Sequence, residues 1–126
     1  MTTAEQKTVQ NLCAFIDASP SPFHVVQTAA NQLATAGFTE IFTTSEAAGD
    51  HPVYLRRDGA LLAAAGTGTQ AAKIIGAHTD SPNLRLKPNP DQTASGWRSL
   101  GIEVYGGTLN NTWLDRDLGC SGRLIV

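Results

Sequence analysis

The stretch KIIGAHTDSPN, residues 73–83, is the most informative part of the chain for its fold. Its apolar run is too short for a helix and ends on small residues, which predicts a buried strand over residues 73–77. In α/β proteins, functional groups lie at the carboxyl ends of such strands. His78 and Asp80 follow the predicted strand and, being two residues apart, project to the same side of an extended chain.

The spacing of His78 and Asp80 suits a metal ligand and its supporting carboxylate. A neutral imidazole nitrogen binds zinc at about 2.0–2.1 Å, and a neighbouring carboxylate fixes the orientation and tautomer of the ring. Taken alone, however, His-x-Asp is a common tripeptide. On this motif alone, a structural or hydrogen-bonded role for His78 is favoured over a metal-binding role. A triad of Ser81, His78 and Asp80 is disfavoured, because neighbours this close do not line up in series.

Two helices are predicted before this stretch. Residues 4–18 carry apolar side chains at helical spacing, namely Val9, Leu12, Cys13 and Ile16. Pro20 ends this helix, while Ser21 suits an N-cap and Pro22 suits the first helical position of the next. Gly37 then suits the left-handed position after the second helix. The two helices together fill roughly residues 4–36.

Short apolar runs after Gly37 predict strands. Besides residues 73–77, the runs cover residues 53–55, 61–65, 84–87, 102–105 and 124–126. Asp58-Gly59 predicts a hairpin turn between the first two. Residues 66–70 predict another tight connection rather than a phosphate loop, because the Gly-Lys-Ser/Thr ending is absent. Two helices followed by such strands predict a chain that contains both α and β structure.

Composition excludes several classes of function. The chain has 126 residues, with 9 Lys and Arg against 11 Asp and Glu, so its net charge of −2 argues against a nucleic-acid partner. No apolar run approaches the roughly 18 residues of a membrane span, and the start MTTAEQKTVQ lacks the features of a signal peptide. We therefore expect no membrane association and a cytoplasmic location. Cys13 and Cys120 are expected to be ordinary thiols.

Other candidate residues are weaker. His24 falls in the first turn of the second helix and is expected to be an ordinary hydrogen-bonded or exposed residue. His51 lies in a polar run and is expected to be a loop residue. The carboxylates of Asp115 and Asp117 flank Arg116, which favours local ion pairing over acid and base catalysis.

Three segments together resemble the aspartyl aminopeptidase family of dinuclear zinc metallopeptidases. They are ASPSPFHVVQTAANQLATAGF at 18–38, GAHTDSPNLRLKP at 76–88 and EVYGGTLNNTWLDRDLGCSGRLIV at 103–126. The first is similar to the amino-terminal helix entry of the family, the second to its first metal-ligand motif, and the third to the signature beyond that motif. The segments occur in the order of the family and span most of the chain.

The resemblance implies a domain organisation and roles for two residues. Residues 1–90 would be the amino-terminal part of an αβα catalytic domain, and residues 91–126 the start of an inserted β-rich oligomerisation domain, with the boundary near residues 88–90. His78 would be a ligand of one of two zinc ions, for which other divalent metals could substitute. Asp80 would be the catalytic-site carboxylate that orients a ligand imidazole. Peptide substrates and a large homo-oligomer are implied as partners.

The resemblance therefore predicts a zinc-dependent aminopeptidase that removes amino-terminal Asp or Glu from peptides through a zinc-activated water. In the family, the bridging carboxylate, the other ligands and the general-base glutamate come later than the position that matches Val126, so the isolated chain is expected to be inactive. The alternative is a catalytically silent fragment or a protein-interaction module that keeps helices and β pairing surfaces. In-frame continuation of the gene past Val126 would distinguish the two.

Overall fold

The computed structural model describes residues 2–46, 50–66 and 72–126. The chain divides into two compact units, one of Met1–Asp80 with Cys120–Val126 and the other of Ser81–Gly119. The assignment of residues 1–90 and 91–126 to two domains of a larger protein stays a prediction.

Two α-helices open the first unit, as predicted. Helix α1, Thr3–Asp17, begins with a capping box in which the Glu5 amide donates to the Thr2 hydroxyl over 3.3 Å and the Thr2 amide donates to the Glu5 carboxylate over 2.7 Å. Helix α2, Pro22–Thr35, has Ser21 as its N-cap and Pro22 at its start. The apolar stripe of α1 is exposed, whereas α2 packs into the unit.

A three-stranded sheet follows the helices. Its strands are β1 (Thr39–Glu40), β2 (Val53–Arg57) and β3 (Ala60–Ala64), in the order β1-β2-β3. Strand β1 runs parallel to β2, and β2 runs antiparallel to β3. The predicted hairpin is confirmed: Arg57 pairs with Ala60, and Asp58 has a φ of +48° in the two-residue turn between them. The predicted strands at 53–55 and 61–65 are confirmed as β2 and β3.

The core of the first unit is small. Its buried apolar side chains come from α2, from β2 and from the residue after β1, and they are Val26, Ala30, Tyr54 and Ile41. A polar cluster lies beside them. The guanidinium of Arg56 donates two hydrogen bonds to the carboxylate of Glu40, over 2.7 and 2.9 Å, and one to the side chain of Gln27, over 2.9 Å. Arg56 therefore joins β2 to both β1 and α2.

The second unit contains a two-stranded antiparallel ribbon. Strand β4 spans Asn83–Ala94 and strand β5 spans Trp97–Tyr105, so the strands predicted at 84–87 and 102–105 are confirmed and are longer than expected. Ser95 and Gly96 form the connecting turn with φ values of +52° and +83°, which is typical of a type I′ hairpin. The register shifts between Leu86 and Asp91.

Two predicted strands are absent from the structure. Residues 73–77 and 124–126 form no strand, and Ile74 and Ile75 have 91% and 97% of their surface exposed. The prediction of a buried strand at 73–77 was wrong because apolar character alone does not make a strand. A strand also needs neighbours that satisfy its backbone groups, and the described part of the chain provides no ladder there.

The predicted turn at residues 66–70 lies, apart from Gly66, outside the described residues. None of the helices that the structure describes has the length and apolar character needed to cross a membrane.

Candidate metal centre

His78 and Asp80 lie next to each other, as their spacing predicts. The Nδ1 atom of His78 is 3.2 Å from Oδ1 of Asp80. The side chain of His78 is 92% exposed, whereas that of Asp80 is 30% exposed. The imidazole therefore stands in solvent with one nitrogen held by a carboxylate that is largely covered.

This pair has the chemistry of one zinc ligand together with the carboxylate that orients it. When Nδ1 carries the proton, it donates to Asp80, and the lone pair of Nε2 faces away from the carboxylate. An imidazole oriented in this way by a carboxylate is the usual form of a zinc-binding histidine. His78 thus fits the role of a zinc ligand, and Asp80 fits the role of the group that orients it.

The described residues do not complete a metal site. In residues 2–46, 50–66 and 72–126, no group of three or more His, Cys, Asp and Glu side chains could hold a metal ion together. Structural zinc takes four protein ligands and catalytic zinc takes three. The described part of this chain accordingly accounts for one ligand, and the roles of His78 and Asp80 stay predictions.

The segment that carries the pair is attached to the β2–β3 turn. The hydroxyl of Thr79 donates a hydrogen bond of 2.6 Å to the carbonyl of Gly59. Sequence reasoning missed this contact, because a threonine and a glycine 20 residues apart give no periodic signal.

The weaker candidates lie elsewhere and join no metal site among the described residues. His24 lies at the start of α2, where its Nδ1 is 2.7 Å from the hydroxyl of its own N-cap, Ser21, in agreement with the hydrogen-bonded role expected of it. His51 is an exposed residue outside the helices and strands, also as expected. Asp115 and Asp117 are exposed as well.

Comparison with known proteins shows the family of this chain. Residues 15–126 match the family model described as aminopeptidase I zinc metalloprotease (M18). The chain belongs to the M18 family. The resemblance to zinc aminopeptidases that the three sequence segments show is thereby confirmed.

Individual proteins match across nearly the whole chain. The probable M18 family aminopeptidase 2 of Mycobacterium leprae is 52% identical over 122 residues, which cover 92% of this chain and 28% of that protein. The mApe1 dodecamer of S. cerevisiae matches with a TM-score of 0.70 and 28% identity, over 90% of this chain and 28% of the other.

A bacterial structure supports the fold. Aminopeptidase I from Borrelia burgdorferi B31 matches with a TM-score of 0.73 and 21% identity, over 91% of this chain and 30% of the other. The mixed α/β fold predicted from the sequence is therefore confirmed as one that resembles part of an M18 aminopeptidase. The chain spans under a third of the length of each of these three relatives.

Proposed function

We propose that this chain forms part of a zinc-dependent aminopeptidase, to which His78 contributes one metal ligand and Asp80 the carboxylate that orients it. The observation that carries the proposal is the 3.2 Å contact between Nδ1 of His78 and Oδ1 of Asp80 within a chain of the M18 family. The family is described as one of zinc metalloproteases, which supports zinc as the metal.

The two side chains divide the work at this site. Asp80 accepts a hydrogen bond from Nδ1–H of His78, which keeps the Nε2 lone pair available and limits rotation of the ring. The exposure of His78 leaves Nε2 open to a ligand set shared with groups outside the described residues. A zinc ion held by His78 and further ligands would supply a water nucleophile at neutral pH and a Lewis acid for the peptide carbonyl.

The finer features of the activity rest on the sequence resemblance. We propose that the enzyme removes amino-terminal Asp or Glu from peptides, that it uses two zinc ions, and that it works in the cytoplasm. We also propose a homo-oligomer, supported by the relative from S. cerevisiae, whose structure is that of a dodecamer.

The 126-residue chain alone is proposed to have no aminopeptidase activity, because its described residues form no group of three or more His, Cys, Asp or Glu side chains that could hold a metal ion. Incubation with Asp- and Glu-linked chromogenic peptides plus zinc, manganese or cobalt should give only background hydrolysis. Metal-dependent turnover that a chelator abolishes would contradict this expectation.

The decisive experiment uses the full-length product of the gene that encodes this sequence. His78→Ala should lower the zinc content per chain, whereas Asp80→Asn should keep most of the zinc and lose about 10–100-fold in rate. His51→Ala is the matched control, because it removes an exposed histidine from a loop of the same unit. Equal zinc content in His78→Ala and the parent would show that His78 is not a ligand. A full-length product that binds no zinc and cleaves no peptide would favour the interaction module.

A further inference from the structure

Thr79 connects the candidate metal site to the rest of the first unit. It lies between His78 and Asp80, and its hydroxyl donates to the Gly59 carbonyl over 2.6 Å. The chain bends at Thr79. At this bend Thr79 contacts the protein, while the side chains of its two neighbours approach each other to 3.2 Å.

The segment before Thr79 has little other support. Residues 72–78 are exposed and form no helix or strand. Backbone without ladder hydrogen bonds opens at low free energy. A side-chain hydrogen bond placed directly between the two site residues therefore restrains the backbone from which both project.

The acceptor of this hydrogen bond is well fixed. Gly59 lies in the turn whose ends are held by the pairing of Arg57 with Ala60. A Cβ atom placed on Gly59 would lie 3.2 Å from Cβ of Pro22, so the turn lies close against the start of α2. The neighbouring Asp58 carboxylate accepts a hydrogen bond of 3.1 Å from Arg123.

We propose that Thr79 is a positioning residue for the zinc site, which acts by holding the His78–Asp80 segment to the carbonyl of Gly59. The inference rests on the proposed role of His78 as a zinc ligand. Without the hydroxyl of Thr79, the imidazole samples more orientations, and part of the binding free energy is lost in restoring the productive one.

The test measures zinc affinity in the full-length product by competition with a chromogenic chelator. Thr79→Val removes the hydroxyl and keeps the branched shape, and it should weaken zinc binding roughly 3- to 10-fold, the equivalent of one neutral hydrogen bond. Thr79→Ser keeps the hydroxyl and should bind zinc within about twofold of the parent. Thr93→Val, at an exposed position of β4, is the matched control and should leave the affinity unchanged.

Each outcome separates this inference from the proposed function. Parent-like affinity in Thr79→Val, with loss of zinc in His78→Ala, overturns the role of Thr79 alone. Retained zinc in His78→Ala overturns the proposed function. Equal weakening in Thr79→Val and Thr79→Ser shows that the hydroxyl is not the determinant and also overturns the inference.

A second variant covers the case in which Thr79→Val does not fold. Thr79→Ala also removes the hydroxyl and introduces no new contact at this half-buried position. Weaker zinc binding in this variant supports the inference, and unchanged binding overturns it.

Discussion

Replacing Ile41 by Ala should destabilise the first unit far more than replacing its larger neighbour Phe42 by Ala. Ile41 is 8% exposed and belongs to the small core, whereas Phe42 is 68% exposed. The Ile41→Ala change removes three carbon atoms that are almost wholly buried. At about 0.8 kcal/mol for each buried methylene, the transfer cost is about 2 kcal/mol, and the cavity that remains adds to it.

The cost of Phe42→Ala follows from the same estimate. Only about a third of its surface is buried, and complete burial of a phenylalanine stabilises by about 3 kcal/mol at most, so the expected loss is about 1 kcal/mol or less. Urea unfolding followed by circular dichroism gives both free energies, provided that the slopes agree with that of the parent. A loss in Phe42→Ala equal to or larger than that in Ile41→Ala would refute the assignment of Ile41 to the core.

Three further predictions follow from the described residues. Hydrogen bonds from Arg56 hold the pKa of Glu40 in the folded protein below its usual 4.5. The ionised Glu40 therefore stabilises the fold fully above pH 4.5, and this stabilisation is lost as the pH falls through the lower pKa of the folded state. The urea midpoint of the parent should therefore fall more steeply than that of Glu40→Gln from about pH 6 to about pH 3, and parallel curves would contradict the pairing. Gly37→Ala should lower the free energy of unfolding by about 1 kcal/mol, because the φ of Gly37 is +88°. Gly107→Ala is the control and should be nearly neutral, because Gly107 has equal space around it and no positive φ. Equal urea midpoints in the two variants would argue against strain at Gly37. The 126-residue chain should form dimers or larger species in a sedimentation series, because exposed apolar residues and unpaired strand edges favour association. A sharp monomer from micromolar to millimolar concentration would contradict that expectation.

The two helices and the Asp58-Gly59 hairpin turn were predictable because their signals are local. Thr2 and Ser21 each cap a helix through the amide three residues further on, and Asp58-Gly59 defines a turn by itself. The pairing of His78 with Asp80 is equally local, because the two residues lie on either side of Thr79. Such features need no knowledge of the rest of the chain.

The contacts of Arg56, which sequence reasoning missed, join residues that are distant along the chain. Arg56 reaches Glu40 and Gln27 across 16 and 29 residues, and a charged residue carries no mark of its partner. The strand expected at 73–77 failed for a related reason. Its apolar residues fit a buried strand, but burial depends on neighbours that periodicity does not identify.

The register shift in the ribbon limits how strand β4 could form amyloid. Residues 87–90 of β4 lie opposite Gly101 alone, and Pro88 and Pro90 both fall in this interval. Proline donates no ladder hydrogen bond, so the longest strand of the chain is divided into two ladders of four residues each. The dry interfaces of cross-β fibrils need about six or seven continuous residues without proline. Strand β4 is therefore a poor template for fibril growth, even though much of its surface is exposed to solvent.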